Sequence, residues 1–411
     1  MTATALQQEE HLPEAIVCKW CGKSFHYLKS HISMGRCENI PESAKGLDVD
    51  EVVKMYTSAF PDEPTISRTA LAKLNEKRAE KHSGEGKVAE ISAHPGYAGT
   101  VEYKTELVAA HELLGVTIKE LGTPRGKPLQ VTVNVNTPYP EFVPEAKKNY
   151  VYGDFDLIKD IFMMLEIGIP GYLWGHAGTG KSSLPTQLCA LLNRPLIRAQ
   201  HTASMEEAHV TGQILARDGS TYFEPGLLAL AMKNGWVYLA DEYDFAFPQI
   251  QGVYQPVLEG EPLIIKEATP DWRRITPHKR FAFIGTGNTN GSGDETGLYQ
   301  GTNIQNAANF SRFGIVSNVK YMSTKAEVNM LAEAGVIREY AEKMVKFANL
   351  VREGYEQHLI SQPIGPRELL LSAKIGMMRG DFSAGIEKSF INKLPSTSAQ
   401  AAREVVQKIF G

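Results

Sequence analysis

GYLWGHAGTGKSS, residues 171–183, decides how the rest of this chain is read. Its apolar opening predicts a buried strand, its glycines a tight turn, and the leucines beyond (Leu184, Leu188, Leu191, Leu192) a helix. Gly175, Gly180, Lys181 and Ser182 fill every fixed position of the phosphate-binding pattern G-x-x-x-x-G-K-[ST]. In such a turn the backbone N–H groups from Gly175 through His176, Ala177, Gly178, Thr179 and Gly180 to Ser183 cradle phosphate oxygens. Lys181 is expected on the β and γ phosphates of ATP, and the Ser182 hydroxyl on Mg²⁺.

Outward from this stretch, strand and helix patterns alternate. FDLIKDIFMMLEIG (155–168) reads as an amphipathic helix, and RPLIRAQ (194–200), WVYLADE (236–242), FAFIGTGN (281–288) and GIVSNVKY (314–321) read as strands. The alternation predicts an α/β fold around a parallel sheet, with ligands at the carboxyl ends of the strands. Residues 210–226 hold two short β-like runs around Arg217-Asp218-Gly219. Residues 325–411 read mostly as helices broken at SQPIGPRE (361–368) and GDFSAG (380–385), a helical lid. Core and lid are placed at 146–322 and 323–411. Pro185, early in the helix after the glycine turn, is expected to bend or loosen it.

The second chemical signal is the strand ending Asp241-Glu242. After a phosphate loop, an apolar strand closing on two acids is the Walker B arrangement. Asp241 would hold Mg²⁺ through water, and Glu242 would orient and polarise the attacking water.

Composition excludes little and confines much. At 411 residues, 43% apolar and with a net charge of −4, the chain is an ordinary globular protein with room for two or three domains. No run is long and apolar enough to span a bilayer, and the N-terminus lacks a secretory layout, so cytoplasm is expected, a host's cytoplasm for a phage-encoded chain. Three of the four cysteines cluster in Cys18-x2-Cys21-x9-His31-x5-Cys37, which points to structural Zn²⁺ before disulfides, while Cys189 reads as a buried apolar residue. With Phe25 and Leu28 in step, residues 15–40 resemble a zinc finger whose central interval of nine is shorter than the usual stretch of about twelve. His26 competes with His31 as the fourth ligand. Lys19, Lys23, Lys29 and Arg36 leave open phosphate-backbone contact or a solvated surface. Residues 41–145 have no assigned role: the chain is polar from Asn39 to about Val101 and more apolar over 101–121, with helical character at 47–60 and 66–81, loops at 82–87 and 94–99, a strand at 129–136 and a proline-stiffened linker at 137–144.

DEYD (241–244), VLEG (257–260), GTGNTNGSGDETGLYQGT (285–302) and NFSRFG (309–314) resemble the CobS-like ATPases. These are the ATPase subunits of aerobic cobaltochelatase, in the MoxR branch of AAA+ proteins. The resemblance covers roughly residues 150–380 and makes 210–226 that branch's helix-2 insert. It implies an AAA+ core with a C-terminal helical lid, assembled as a ring, usually a hexamer, with ATP between neighbours and a von Willebrand-domain partner. It further implies Asn288 as the polar sensor, Arg312 as a finger reaching the neighbouring subunit, and Arg367 as a second sensor on the γ-phosphate. The zinc-finger-like segment and residues 41–145 depart from the family pattern. Two other readings stand beside a partner-remodelling ATPase: a nucleic-acid motor gripping DNA through the finger, and a nucleotide switch with little turnover.

Overall fold

The computed structural model describes residues 13–33, 36–45, 47–61, 63–70, 102–217 and 220–411. The chain divides into two units, Met1–Ser92 and Ala93–Gly411.

In the first unit β1 (Ile16–Val17) pairs antiparallel with β2 (Ser24–Phe25), and the turn between them brings Cys18 and Cys21 together. The helices Leu28–Ser33 and Val49–Ala59 follow. Asp48 starts the second by accepting from the Asp50 and Glu51 N–H groups, satisfying donors that a helix end leaves open. Ile16, Phe25, Leu28, Val52 and Tyr56 form the core, so the finger-like segment and the helix expected at 47–60 are one packed body. Of the helix expected at 66–81, residues 68–70 are helical, Ile66 and Ser67 lie before the helix, and residues 71–81 lie outside the described residues, as do the loops at 82–87 and 94–99.

The second unit opens with the antiparallel pair β3 (Thr105–Ala109) and β4 (Gln130–Asn134). Residues 41–145 are thus divided between the two units. The segment expected as a linker is docked instead: Phe142 stacks on Trp236 at 4.2 Å, and Tyr139 meets its edge. Burial of two aromatic rings explains the difference, since prolines fix a backbone without deciding what its side chains touch.

β5 (Gly171–Trp174), β6 (Leu196–Gln200), the hairpin strands β7 (Gly212–Arg217) and β8 (Ser220–Pro225), β9 (Val237–Asp241), the short pair β10 (Leu263–Ile264) and β11 (Arg274–Ile275), β12 (Ala282–Gly287) and β13 (Ile315–Asn318) complete the strands. Five of them form one parallel sheet in the order β13-β5-β12-β9-β6. Alternate side chains enter two cores, Tyr172, Tyr238 and Phe283 on one face and Leu173, Leu239 and Ile284 on the other, as burial on both faces requires. The helix Phe155–Ile167 covers one face, capped by Asp154 and ended by Gly168 at φ 73°. Pro185 costs its helix no internal hydrogen bond. It lies in the first turn of the helix Ser183–Leu191, where a backbone N–H has no partner within the helix.

The lid consists of the helices Thr324–Glu333, Arg338–Glu356, Pro366–Arg379, Phe382–Ser389 and Ser396–Phe410 around a core of their own. The break expected at 380–385 is a tight turn, in which Gly380 ends one helix and Asp381 caps the next. Among the described residues no helix is long and apolar enough to cross a membrane.

Arg352 and Glu327 form a bidentate pair at 2.7 and 2.8 Å inside the lid, and Arg352 Nε also donates to the Ile364 carbonyl at 3.0 Å. Glu327 is wholly buried, so removing its charge strands a guanidinium away from water. Glu327→Gln is expected to cost about 3 kcal/mol in chemical denaturation followed by circular dichroism. Combining Glu327→Leu with Arg352→Met should recover most of that loss, because an apolar pair leaves no charge unpaired.

Candidate nucleotide site

The turn after β5 has the backbone its sequence requires. Gly178 and Gly180 take φ of 79° and 101°, and a Cβ on Gly175 would stand 2.4 Å from the Val319 carbonyl oxygen. Only glycine fits these positions without strain. Lys181 folds back across the turn, donating to the Gly175 and His176 carbonyls at 2.7 and 2.8 Å and to Asn288 Oδ1 at 3.1 Å. Burial lowers its pKa to about 8, while Asp244, Asp241 and Glu242 pull it upward. Thr179 Oγ1 donates to the His176 carbonyl at 2.9 Å, and the Ser183 and Tyr150 hydroxyls are 3.4 Å apart.

Strand register delivers the acids. Gln200 stands opposite Asp241 across β6 and β9, and Gly285 opposite Ala240 across β12 and β9. Asp241 Oδ1 accepts from the Ser182 and Thr286 hydroxyls, and its Oδ2 from Arg198 Nε at 2.6 Å. Burial favours the neutral acid, but the hydrogen bonds from Ser182 and Thr286 and the Arg198 charge outweigh it and hold the carboxyl below the usual carboxylate range. Glu242 adopts left-handed backbone at φ 53°, a conformation that costs a non-glycine residue about 1–3 kcal/mol and occurs at functional sites. Its N–H is held by Thr286 Oγ1 at 3.1 Å and its Oε2 accepts from Gln200 Nε2. Burial, then Asp241 and Asp244, raise the Glu242 pKa.

Asp244 is fully buried, and its Oδ2 accepts from the Asn288 and Thr289 N–H groups at 2.8 and 3.0 Å. These bonds fix the backbone at Asn288, whose side chain faces Lys181. Lys181, Ser182, Asp241, Glu242 and Asn288 therefore gather at the carboxyl end of the sheet, where the fold class predicts a ligand. Ser182 and Asp241 present two hard oxygens in hydrogen-bond contact, a donor set that fits Mg²⁺.

Arg367 opens the lid helix Pro366–Arg379, and its Cβ would lie 3.3 Å from a Cβ on Gly178. Its charge is near enough to Lys181 to contribute to that lowered pKa. Arg312 goes elsewhere within the chain: Nε donates to Glu259 Oε1 at 2.7 Å and Nη1 to the Ala308 carbonyl at 2.5 Å. Arg198, Gln200, Thr286 and Asp244 were not among the residues expected at the site. The only sequence trace of the first two is polar residues at alternate positions closing the strand RPLIRAQ.

In the first unit the ligand atoms of Cys18, Cys21, His31 and Cys37 all lie within 4.8 Å of one another. Cys18 and Cys37 sulfurs are 3.8 Å apart, and Cys21 Sγ is 3.2 Å from His31 Nε2. Four ligands around Zn²⁺ with Zn–S of about 2.3 Å place sulfurs about 3.8 Å apart, so the set fits. His26 is not in it: its Nδ1 faces the Glu14 carbonyl and Ser67 Oγ, each at 3.1 Å. Burial, with Cys18 and Cys21 alongside, pushes the Cys37 thiol up to about 12. Three thiols this close lose their protons together only with a cation among them.

The AAA domain of the dynein-related subfamily matches residues 172–302. The chain is 32% identical over 249 residues to the aerobic cobaltochelatase subunit CobS of Sinorhizobium sp., which covers 58% of this chain and 74% of that one. It is 22% identical over 246 residues to the protein NorQ of Paracoccus denitrificans, covering 59% and 87%. Among solved structures, the RuvB Holliday junction branch migration motor of Thermotoga maritima aligns at a TM-score of 0.38 and 13% identity, over 65% of this chain and 72% of that one. With the phosphate loop, the paired acids and the parallel sheet in place, the relation to CobS shows that the chain belongs to the CobS-like, MoxR-branch family of AAA+ ATPases.

Proposed function

We propose that this protein is a ring ATPase that hydrolyses ATP to ADP and phosphate and spends the movement on remodelling a partner protein. The reading is carried by the convergence of Lys181, Ser182, Asp241, Glu242 and Asn288 at one end of the sheet. Lys181 would leave the loop carbonyls for the β and γ phosphates, and the N–H groups of the loop would hold the phosphate oxygens. Ser182 and Asp241 would hold Mg²⁺, which neutralises charge on the β and γ oxygens. Glu242, with a raised pKa and a side chain held by Gln200, would orient and polarise water. Asn288 and Arg367 would read the γ-phosphate from the sheet and from the lid.

Arg312 is assigned to the neighbouring subunit's nucleotide. Its side chain is partly exposed at the end of the short helix Ala307–Phe310, bound to Glu259 rather than to its own phosphate loop. A hexamer fits the family, as does a von Willebrand-domain partner in the cytoplasm. Metal insertion, the work of cobaltochelatase, is one use of such a machine and would fall to partners of this chain.

Cys18, Cys21, His31 and Cys37 are assigned to structural Zn²⁺. The DNA-gripping alternative is weakened by the partners of the finger's cations. Three of the four cations stand beside acids, Lys19 by Glu63, Lys23 by Glu38 and Lys29 by Asp50, so the surface is of mixed charge rather than a continuous basic patch.

Glu242→Gln is expected to bind ATP with near-normal affinity and lose turnover by about 10²–10⁴-fold, read by steady-state phosphate release. Normal turnover would remove Glu242 from its role. Rings mixed from Arg312→Ala and Lys181→Ala protomers should regain activity at interfaces that pair an intact loop with an intact finger. Confirmed mixed rings with no regain would count against a shared site. Elemental analysis should find one zinc per chain, lost together with the thermal stability of the first unit in Cys18→Ser.

A further inference from the structure

The segment from Asn288 to Arg312 joins the proposed sensor to the proposed finger, and it is pinned along its length. Asn288 and Thr289 donate their N–H groups to Asp244 Oδ2, and the Asn303 N–H donates to the Asp244 carbonyl at 2.7 Å. Between these anchors Asp294 braces the tip: Oδ1 accepts from the Thr296 N–H at 2.9 Å and hydroxyl at 2.8 Å, and Oδ2 from the Tyr299 N–H at 2.7 Å. The brace aims the Tyr299 ring at the phosphate loop. Its hydroxyl oxygen lies 3.2 Å from Ala177 N and 2.9 Å from His176 Nδ1.

Chemistry fixes the direction of one of these bonds. The Ala177 amide can only donate, so the Tyr299 oxygen accepts from it. With a second lone pair and one proton, the same hydroxyl can bond His176 Nδ1 as acceptor or donor, according to the imidazole tautomer. The His176 ring is stacked on Tyr321 at 5.7 Å and 3°, with Tyr355 edge-on at 5.8 Å. The titratable groups facing it are Lys181 from its own loop, Tyr299, Tyr321 and Tyr355, with Glu368 and Lys393 of the lid in the wall of a shared cavity of about 220 Å³. Burial first, and the Lys181 charge second, hold its pKa below the ordinary imidazole value.

We propose that Tyr299 is a positioning residue for the triphosphate: its hydroxyl holds the His176–Ala177 turn and so ties the phosphate loop to the segment running from Asn288 to Arg312. The proposal rests on the nucleotide reading above. Tyr299 touches no phosphate on this account and acts only through the loop.

Tyr299→Phe in the full-length protein keeps the ring and removes the hydroxyl. At pH 8 its KM for ATP is expected to rise about five-fold, the worth of roughly one hydrogen bond, with kcat changed by less than about two-fold. A residue that merely filled space would leave KM unchanged when the ring stays and only the hydroxyl is removed, which would overturn the proposal. Binding of a fluorescent ATP analogue to Tyr299→Phe and Lys181→Ala separates the two readings. Loss in Lys181→Ala with wild-type affinity in Tyr299→Phe at pH 8 sinks the role of Tyr299 alone. Wild-type affinity in Lys181→Ala sinks the nucleotide reading and this proposal with it.

Discussion

A carboxylate that stays ionised while almost wholly buried is the constraint on which the rest of this structure depends. Asp241 is 2% exposed, and burial by itself favours the neutral acid. Its charge is kept by Ser182 at the start of a helix, Thr286 on β12 and Arg198 on β6. These donors are far apart in sequence and meet because β9 lies between β12 and β6 with all three strands parallel and in register. Sheet order is therefore a condition of the charge. Since the folded pKa is depressed, ionised Asp241 stabilises the fold above its unfolded pKa, and that contribution is lost as pH falls through the folded value.

The same packing leaves Lys181 short of charge. Its ammonium is satisfied as a donor by two carbonyls and an amide oxygen, yet burial still lowers its pKa toward neutrality. Neutral acceptors meet the geometry of a cation without balancing it. An anion at the loop would supply that balance, so the phosphate site is formed in shape before it is complete in electrostatics. Residues around the loop share in the shaping. His176 is held by Tyr299 and Tyr321, and Tyr321 lies under the Arg352 guanidinium at 4.0 Å, which Glu327 fixes inside the lid.

What could be read from the sequence was what lies close along it. The glycine turn with Lys181 and Ser182, the strand ending in two acids, and the five strands of the sheet are each local patterns with one physical solution. Cys18, Cys21 and Cys37 were legible for the same reason, whereas the choice between His26 and His31 needed the short helix that turns His31 toward the thiols. Arg198, Gln200, Thr286 and Asp244 were hidden because their importance comes from adjacency between strands, which no single stretch encodes. Tyr299 was hidden inside a motif whose fold is set by Asp294 and whose target is more than a hundred residues away. Pro185 misled because its effect depends on its distance from the helix start, and that start is set by the turn before it.

Charge counted around the proposed site agrees with the proposed ring. Lys181, Arg198 and Arg367 bring positive charge, and Asp241, Glu242 and Asp244 bring as much negative charge. Burial raises the pKa values of Glu242 and Asp244, with Asp241 and Asp244 adding to it at Glu242, so two of those acids resist ionisation. A magnesium-bound triphosphate still carries net negative charge, and charge shifts onto the leaving oxygen as the bond breaks. Arg198 cannot answer it without leaving Asp241, the carboxylate it helps keep ionised. In the proposed ring a further cation comes from outside the subunit. Arg312 is partly exposed and bound to an exposed glutamate that it can give up at little cost. On this reading the pair with Glu259 is a resting place, and the ring is the means by which each site acquires the charge its own chain withholds.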